Sequence, residues 1–161
     1  MTEIHAPEGE FNAAVLAASL IGEQVADTVE ILNKLEPSQA ADVVRLLPRD
    51  VAIEILDKPE LDFGAEIIET LPRYVAAPLL AGMSADMAAD IVQLLDEPAK
   101  TELLGALDDV SRAAIVGLLA YPENTAGAMM TTEFVSVPGN WTVDQTLQHI
   151  RRVERSRETV Y

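Results

Sequence analysis

The chain has 161 residues, enough for one domain or for one domain and part of a second. It carries 27 acidic residues against 11 basic ones, a formal net charge of −16, which excludes nucleic acid as a partner because a phosphate backbone would be repelled. The chain has no cysteine and only two histidines, far apart at His5 and His149, which excludes disulfides and metal sites of thiolate or clustered imidazole.

One or two short helices are predicted near the start of the chain. Residues 11–20 and 25–35 have helical composition, and Gly22 lies between them as a break. We expect them to cap one end of a larger helical structure. The first ten residues are acidic and polar, and no stretch approaches 18 apolar residues, so neither a signal peptide nor a membrane-spanning helix is predicted.

A twelve-residue repeat organises the next part of the chain. An apolar residue recurs every twelve positions, with Pro59 as the one exception. We call each of these recurring positions a mark. An aliphatic pair lies eight positions after every mark, and a pair of mainly small residues lies five positions after most marks. These offsets fall on one stripe of an α-helix, so each unit buries one helical face. The apolar marks are Leu35, Leu47, Leu71, Met83, Leu95, Leu107 and Leu119.

The residue after each mark is of a type found at helix N-caps and first turns, so a new helix is predicted every twelve residues. Helices of eight or nine residues are unstable alone and must share a core. We therefore predict an all-α fold, a right-handed superhelical solenoid of short helices. Pro78 falls inside one expected helix, which should be delayed or kinked there. The predicted N-caps are Glu36, Pro48, Glu60, Pro72, Ser84, Asp96 and Asp108.

Three pairs of acidic residues lie one helical turn apart on the predicted outer face. Like charges at this spacing destabilise a helix by about 0.2–0.5 kcal/mol per pair. A cation bound between them would make the pair stabilising instead. Carboxylate oxygens without soft ligands suit Mg²⁺. Ordinary solvent-exposed charge on an acidic protein explains the same pattern, and spacing alone leaves both readings open. The pairs are Asp50 with Glu54, Asp62 with Glu66, and Asp86 with Asp90.

The charge distribution changes near residue 121. Residues 1–118 hold 22 of the 27 acids, whereas four of the 11 bases lie within residues 151–157. We predict a helical-repeat domain over residues 1–121 and the start of a second domain over residues 122–161. In the second unit, residues 134–137 are predicted as a strand, residues 143–155 as an amphipathic helix capped by Thr142, and residues 158–161 as the start of another strand.

The segment YPENTAGAMM, from Tyr121 to Met130, follows units such as LPRDVAIEILD and MSADMAADIVQLLD. Together they resemble MgtE-type magnesium transporters, in which a Tyr, an acidic stretch, Ala-Gly and a Met lead from the N-terminal helical domain into the first CBS motif. The resemblance implies that residues 1–121 are an MgtE-like N-terminal domain. Residues 122–161 would then be an incomplete α/β segment that begins a CBS domain.

The resemblance also implies a set of Mg²⁺ ligands, with Mg²⁺ as the bound ion. Matching the family's motifs places carboxylate ligands at Glu54, Asp86 and Asp90, and a backbone carbonyl ligand at Ala128. Asn124 departs from the family pattern, because an acidic residue is usual at that position. The three carboxylates belong to acid pairs that the repeat already indicates.

The function implied is that of a cytosolic Mg²⁺-sensing regulatory domain, on the cytoplasmic side of the cell membrane. Its partners would be the CBS, plug-helix and transmembrane parts of the same homodimeric transporter, and Mg²⁺ at their shared acidic interfaces would favour the closed pore. Without those parts the chain would not transport ions. An alternative is a metal-independent helical adaptor, since flagellar motor switch proteins have similar repeats. No enzyme is predicted, because the sequence lacks a phosphate loop, a nucleophile elbow and an enclosed acid/base pair.

Overall fold

The computed structural model describes residues 11–122, 124–131 and 134–153. Within these residues the regular structure is entirely α-helical, which confirms the predicted fold class. Gly22, with φ of 92°, lies between the first two helices, so the alternative of two helices is the one observed. The helices are α1 (Ala13–Leu20), α2 (Val25–Leu32), α3 (Pro37–Val44), α4 (Arg49–Leu56), α5 (Gly64–Thr70), α6 (Arg73–Leu80), α7 (Ala85–Leu94), α8 (Glu97–Ala106), α9 (Asp109–Leu119) and α10 (Val143–Val153).

The first nine helices stack in two rows, because each helix packs against the next but one along the chain. One row contains α1, α3, α5, α7 and α9, and the other contains α2, α4, α6 and α8. Every second repeat unit therefore returns the chain to the same row. This arrangement gives each short helix neighbours that share its apolar stripe, as a helical-repeat structure requires.

The core of the stack is made by the residues that the repeat singles out. Both members of every aliphatic pair from α3 to α7 are at most 4% exposed. The last unit departs from this pattern, because Ile115 is buried but Val116 is 46% exposed at the end of the α9 row. The fully enclosed pairs are Val43-Val44, Ile55-Leu56, Ile67-Ile68, Leu79-Leu80 and Ile91-Val92.

Six of the seven predicted N-caps are observed. The exception is α5, whose N-cap is Phe63 instead of Glu60. Pro59 breaks the repeat just before this point, and Leu61 fills the core position at 8% exposure before the helix begins. The confirmed caps are Glu36, Pro48, Pro72, Ser84, Asp96 and Asp108.

The predicted delay of the helix that contains Pro78 is wrong. Helix α6 begins at Arg73, in register with the repeat, and includes Pro78 in its last turn. A proline there has no N–H to donate to the carbonyl four residues earlier, so α6 forms with one backbone hydrogen bond fewer. The carbonyl oxygen of Pro78 accepts a hydrogen bond of 2.8 Å from Nη2 of Arg49, which ties α6 to α4.

Two polar side chains connect helices along the stack at a spacing of 24 residues. Asn33, after α2, donates to the carbonyl of Glu60 at 2.7 Å and accepts from the N–H of Asp62 at 3.0 Å. Asp57, after α4, accepts from the N–H and the hydroxyl of Ser84 at 2.9 and 2.7 Å. Since Ser84 is the N-cap of α7, Asp57 fixes the start of that helix.

The strand predicted over residues 134–137 is not observed. A strand needs a neighbouring backbone to pair with, and the next predicted strand, at residues 158–161, lies outside the described residues. Helix α10 is present, and Thr142 caps it as predicted: Oγ1 accepts from the N–H of Gln145 at 3.3 Å, and Oε1 of Gln145 accepts from the N–H of Thr142 at 2.8 Å. Residues 154 and 155 of that prediction also lie outside the described part.

Among the described helices, none combines the length and the apolar composition that a membrane crossing requires.

Candidate cation site

Three of the four predicted ligands line one small cleft at the end of the stack. Helix α7 supplies Asp86 from its first turn and Asp90 one turn later. Ala128 comes from the junction loop, residues 121–130, which follows α9. The cleft has a volume of ≈ 20 Å³, enough for one water or one small ion. Its remaining lining residues are Ala89, Gln93, Leu118, Leu119, Tyr121 and Met130.

Asp86 has a carboxylate oxygen that the described residues leave unsatisfied. Its Oδ1 is buried and has no hydrogen-bond partner within that part of the structure. A buried carboxylate oxygen without a donor is unfavourable, because it loses the water that would solvate its charge. A cation or an ordered water in the cleft removes that cost.

Asp90 is an exposed residue, unlike the half-buried Asp86, but its carboxylate lies at the same cleft. Its pKa is raised above the usual value for an aspartate, first because burial desolvates the carboxylate and second because the charge of Asp86 opposes its ionisation. None of the residues that line the cleft is basic, and the ion pairs found among the described residues include neither acid. Positive charge placed in the cleft would therefore stabilise the ionised pair.

The junction loop holds Ala128 through a compact turn. The N–H of Ala128 donates to the carbonyl of Thr125 at 3.1 Å and to its Oγ1 at 3.4 Å, and the same hydroxyl donates to the carbonyl of Pro122 at 2.7 Å. Asn124 has φ of 62°, a left-handed conformation that asparagine adopts readily. The other polar atom of Ala128 is its carbonyl oxygen, the ligand type that the resemblance implies.

Glu54 does not line this cleft. It lies exposed on α4, in the row opposite to that of α7. The remaining acids of the three pairs, Asp50, Asp62 and Glu66, are exposed as well. Within the described residues no cluster of three or more acids or histidines is placed to hold a metal ion. The described chain thus supplies two carboxylates and one backbone residue at one place, and not the complete predicted set.

Gln93 is a lining residue that the acid-pair pattern does not single out. It follows Asp86 and Asp90 at the spacing i, i+4, i+7, so all three side chains lie on one face of α7. That spacing is visible in the sequence, and a search for any oxygen-bearing side chain on this stripe would have found it. Helix α7 therefore presents a polar stripe of three residues to the cleft.

The fold resembles two solved structures. One is the crystal structure of the soluble part of a magnesium transporter, with a TM-score of 0.76 and 23% identity over 92% of this chain and 64% of that chain. The other is the crystal structure of the cytosolic domain of the Mg²⁺ channel MgtE in complex with ATP, with a TM-score of 0.74 and 31% identity over 93% of this chain and 62% of that chain. The chain thus spans less than two thirds of either protein.

A comparison with curated proteins finds no match. A comparison with protein families matches residues 23–124 to the MgtE intracellular N domain. The matched region runs from just before α2 through α9 and into the junction loop, and so includes the whole repeat and both acids of the cleft. Because the match covers more than half of the chain, the protein belongs to the MgtE intracellular N domain family.

Proposed function

We propose that this chain is the Mg²⁺-sensing part of the cytosolic region of an MgtE-type magnesium transporter. The observation that carries the proposal is the cleft in which Asp86, Asp90 and Ala128 come together. The buried, unpartnered oxygen of Asp86 and the raised pKa of Asp90 both indicate negative charge that a cation would neutralise. The donors are carboxylate and carbonyl oxygens, which favour a hard divalent ion such as Mg²⁺.

The site is shared with a second surface in this proposal. Mg²⁺ takes one or two carboxylates from a protein and keeps several of its waters, so Asp86 and Asp90 suffice for one side of the contact. The second side comes from the CBS domains of the same transporter, the first of which begins in residues 122–161. Glu54, exposed on α4, meets an acidic partner surface at a separate point.

Regulation then follows from linkage. An ion held between two acidic surfaces binds the compact arrangement more tightly than the separated one, and so shifts the equilibrium towards it. When the ion is absent, the net charge of −16 on this chain favours separation. In the homodimeric transporter the compact arrangement favours the closed pore. The proposal requires no catalytic step.

Thermal unfolding in MgCl₂ at constant ionic strength tests the proposal. A ligand of the folded state raises the midpoint by mass action, and constant ionic strength removes simple screening. We expect the midpoint of the unchanged chain to rise with Mg²⁺ and that of Asp86→Asn/Asp90→Asn to stay constant. The matched control is Asp62→Asn/Glu66→Gln, which removes two charges at the same spacing from an exposed pair. It should respond like the unchanged chain, and equal responses from all three proteins would contradict the proposal.

A further inference from the structure

Gly127 lies directly against the ring of Tyr121 within the junction loop. A Cβ atom on Gly127 would lie 2.7 Å from both Cγ and Cε1 of that ring, well inside van der Waals contact. Gly127 does not have positive φ, so its backbone would accept a side chain. Because Cγ is the ring atom nearest the main chain, the ring cannot avoid the clash by a small shift at its far end. The ring, and not the backbone, therefore requires glycine here.

The contact joins the end of a helix to the residue beside a proposed ligand. Tyr121 follows α9 directly, and its N–H donates to the carbonyl of Leu118 at 3.1 Å. Gly127 immediately precedes Ala128, and both Tyr121 and Ala128 line the cleft. Since α9 packs against α7, a continuous set of contacts runs from the helix that bears the acids, through α9 and the tyrosine ring, to Ala128.

We propose that Tyr121 is a positioning residue for the cation site, because its ring on Gly127 holds Ala128 beside Asp86 and Asp90. Within the described residues, hydrogen bonds also join residues of the loop to one another, such as those from Ala128 to Thr125. The ring contact adds a link from Gly127 to Tyr121, which directly follows α9. A ligand held in place before the ion arrives loses less entropy on binding, so the ring contact should strengthen binding. The inference rests on the proposed function of the cleft.

The test uses three variants of the full chain. Tyr121→Ala removes the ring, Gly127→Ala adds a Cβ where the ring lies, and Tyr121→Phe keeps every ring carbon in the contact. Two matched controls make the same chemical changes elsewhere. Tyr74→Ala removes a tyrosine that is 79% exposed on α6, and Gly117→Ala adds a Cβ on α9 that would meet nothing within 4 Å.

Two readouts distinguish an effect on the packing of the loop from an effect on Mg²⁺ binding. The first is hydrogen exchange of the Ala128 amide, which reports on the loop without any ion. The second is the Mg²⁺ concentration that gives half of the maximal rise in unfolding midpoint. Tyr121→Ala and Gly127→Ala should speed the exchange and raise this concentration, each by about threefold to tenfold. Tyr121→Phe and both controls should match the unchanged chain, whereas a merely structural role would lower the midpoint without changing the concentration.

Three results would overturn the proposal in distinguishable ways. Unchanged exchange in Tyr121→Ala means that the ring does not anchor the loop, whatever the Mg²⁺ response. Faster exchange with an unchanged Mg²⁺ response means that the ring anchors the loop but that the loop does not contribute to Mg²⁺ binding. The proposed function would then stand. If the unchanged chain itself gives no Mg²⁺ response, the proposed function fails for this chain, and the positioning role fails with it even where the exchange data show the anchor.

Discussion

The middle of the helical stack and its last unit are built from the same repeat but differ in what they bury. Val44 in α3 and Val116 in α9 occupy the same position of the repeat, yet Val44 is 1% exposed and Val116 is 46% exposed. Helices in the middle have neighbours on both sides of their row, whereas α9 ends its row. Stability is therefore concentrated in the middle, and the cation cleft lies at the end, where unneutralised charge is better tolerated.

The largest expected difference in stability is between two variants that each change one of these valines to alanine. Val44→Ala should lower the free energy of unfolding by about 2 kcal/mol, because it leaves a cavity in the core. Val116→Ala should lower it by less than about 1 kcal/mol, because almost half of this residue is already exposed to water. Urea denaturation of both variants measures the difference. Equal losses would remove the distinction between the two regions.

An intermediate loss of stability is expected when the hydrogen bonds from Asp57 to the start of α7 are removed. Asp57→Ala removes the acceptor of two hydrogen bonds from Ser84, and should lower the free energy of unfolding by about 1–2 kcal/mol. Asp42→Ala is the control, since its ion pair with Arg45 is exposed and should contribute less than about 0.5 kcal/mol. Denaturation curves that gave the control the larger loss would show that α7 does not depend on Asp57.

The smallest expected effect is a pH dependence of opposite sign at two aspartates. Desolvation, and then Asp86, raise the pKa of Asp90, so the folded state binds its proton more tightly and ionisation of Asp90 lowers stability as the pH rises. Hydrogen bonds, first from the backbone of Ser111 and then from its side chain, lower the pKa of Asp108, so its ionised form stabilises the fold. That contribution is lost as the pH falls below the usual aspartate value of about 4.

Thermal unfolding at neutral pH without divalent ions should therefore give a higher midpoint for Asp90→Asn and a lower one for Asp108→Ala. Both differences should shrink as the pH falls below about 4. Asp90 is then protonated in both states, and the stabilisation from ionised Asp108 is progressively lost towards its lowered pKa. A lower midpoint for Asp90→Asn at neutral pH would mean that its charge is already compensated in the folded chain. That outcome would contradict the description of the cleft.

Much of the fold was predictable because one physical rule determines it. A short helix with a single apolar stripe must bury that stripe against its neighbours, so the spacing of the aliphatic pairs determines both the helices and their stacking. The rule fails where the repeat itself is interrupted. After Pro59 three further residues precede the N-cap of α5 at Phe63, and nothing periodic specifies that length. A strand at residues 134–137 would form only by pairing with another strand, which the local sequence pattern does not specify.

The candidate cation site was only half predictable for a related reason. Three acid pairs share one spacing, and the residues alone do not distinguish the pair on α7 from the exposed pairs on α4 and at the start of α5. The difference arises from Leu118, Leu119 and the junction loop, which line a cleft beside these acids and leave Asp86 half-buried, although Asp90 remains exposed. The packing of Tyr121 on Gly127 has no periodic signature, so it appears only in the folded chain. The resemblance to MgtE-type transporters supplied what the spacing could not.

The central claim is that a divalent ion binds in this cleft and not across the acidic surface as a whole. Mn²⁺ takes similar oxygen ligands to Mg²⁺ and broadens nearby NMR signals, so substoichiometric Mn²⁺ added to the ¹⁵N-labelled chain gives the most direct test. We expect the amide signals of Asp86, Asp90 and Ala128 to broaden first, while those of Glu54 and Glu66 persist. Equal broadening at all of these acids would show diffuse attraction to a surface of net charge −16 and would contradict the claim.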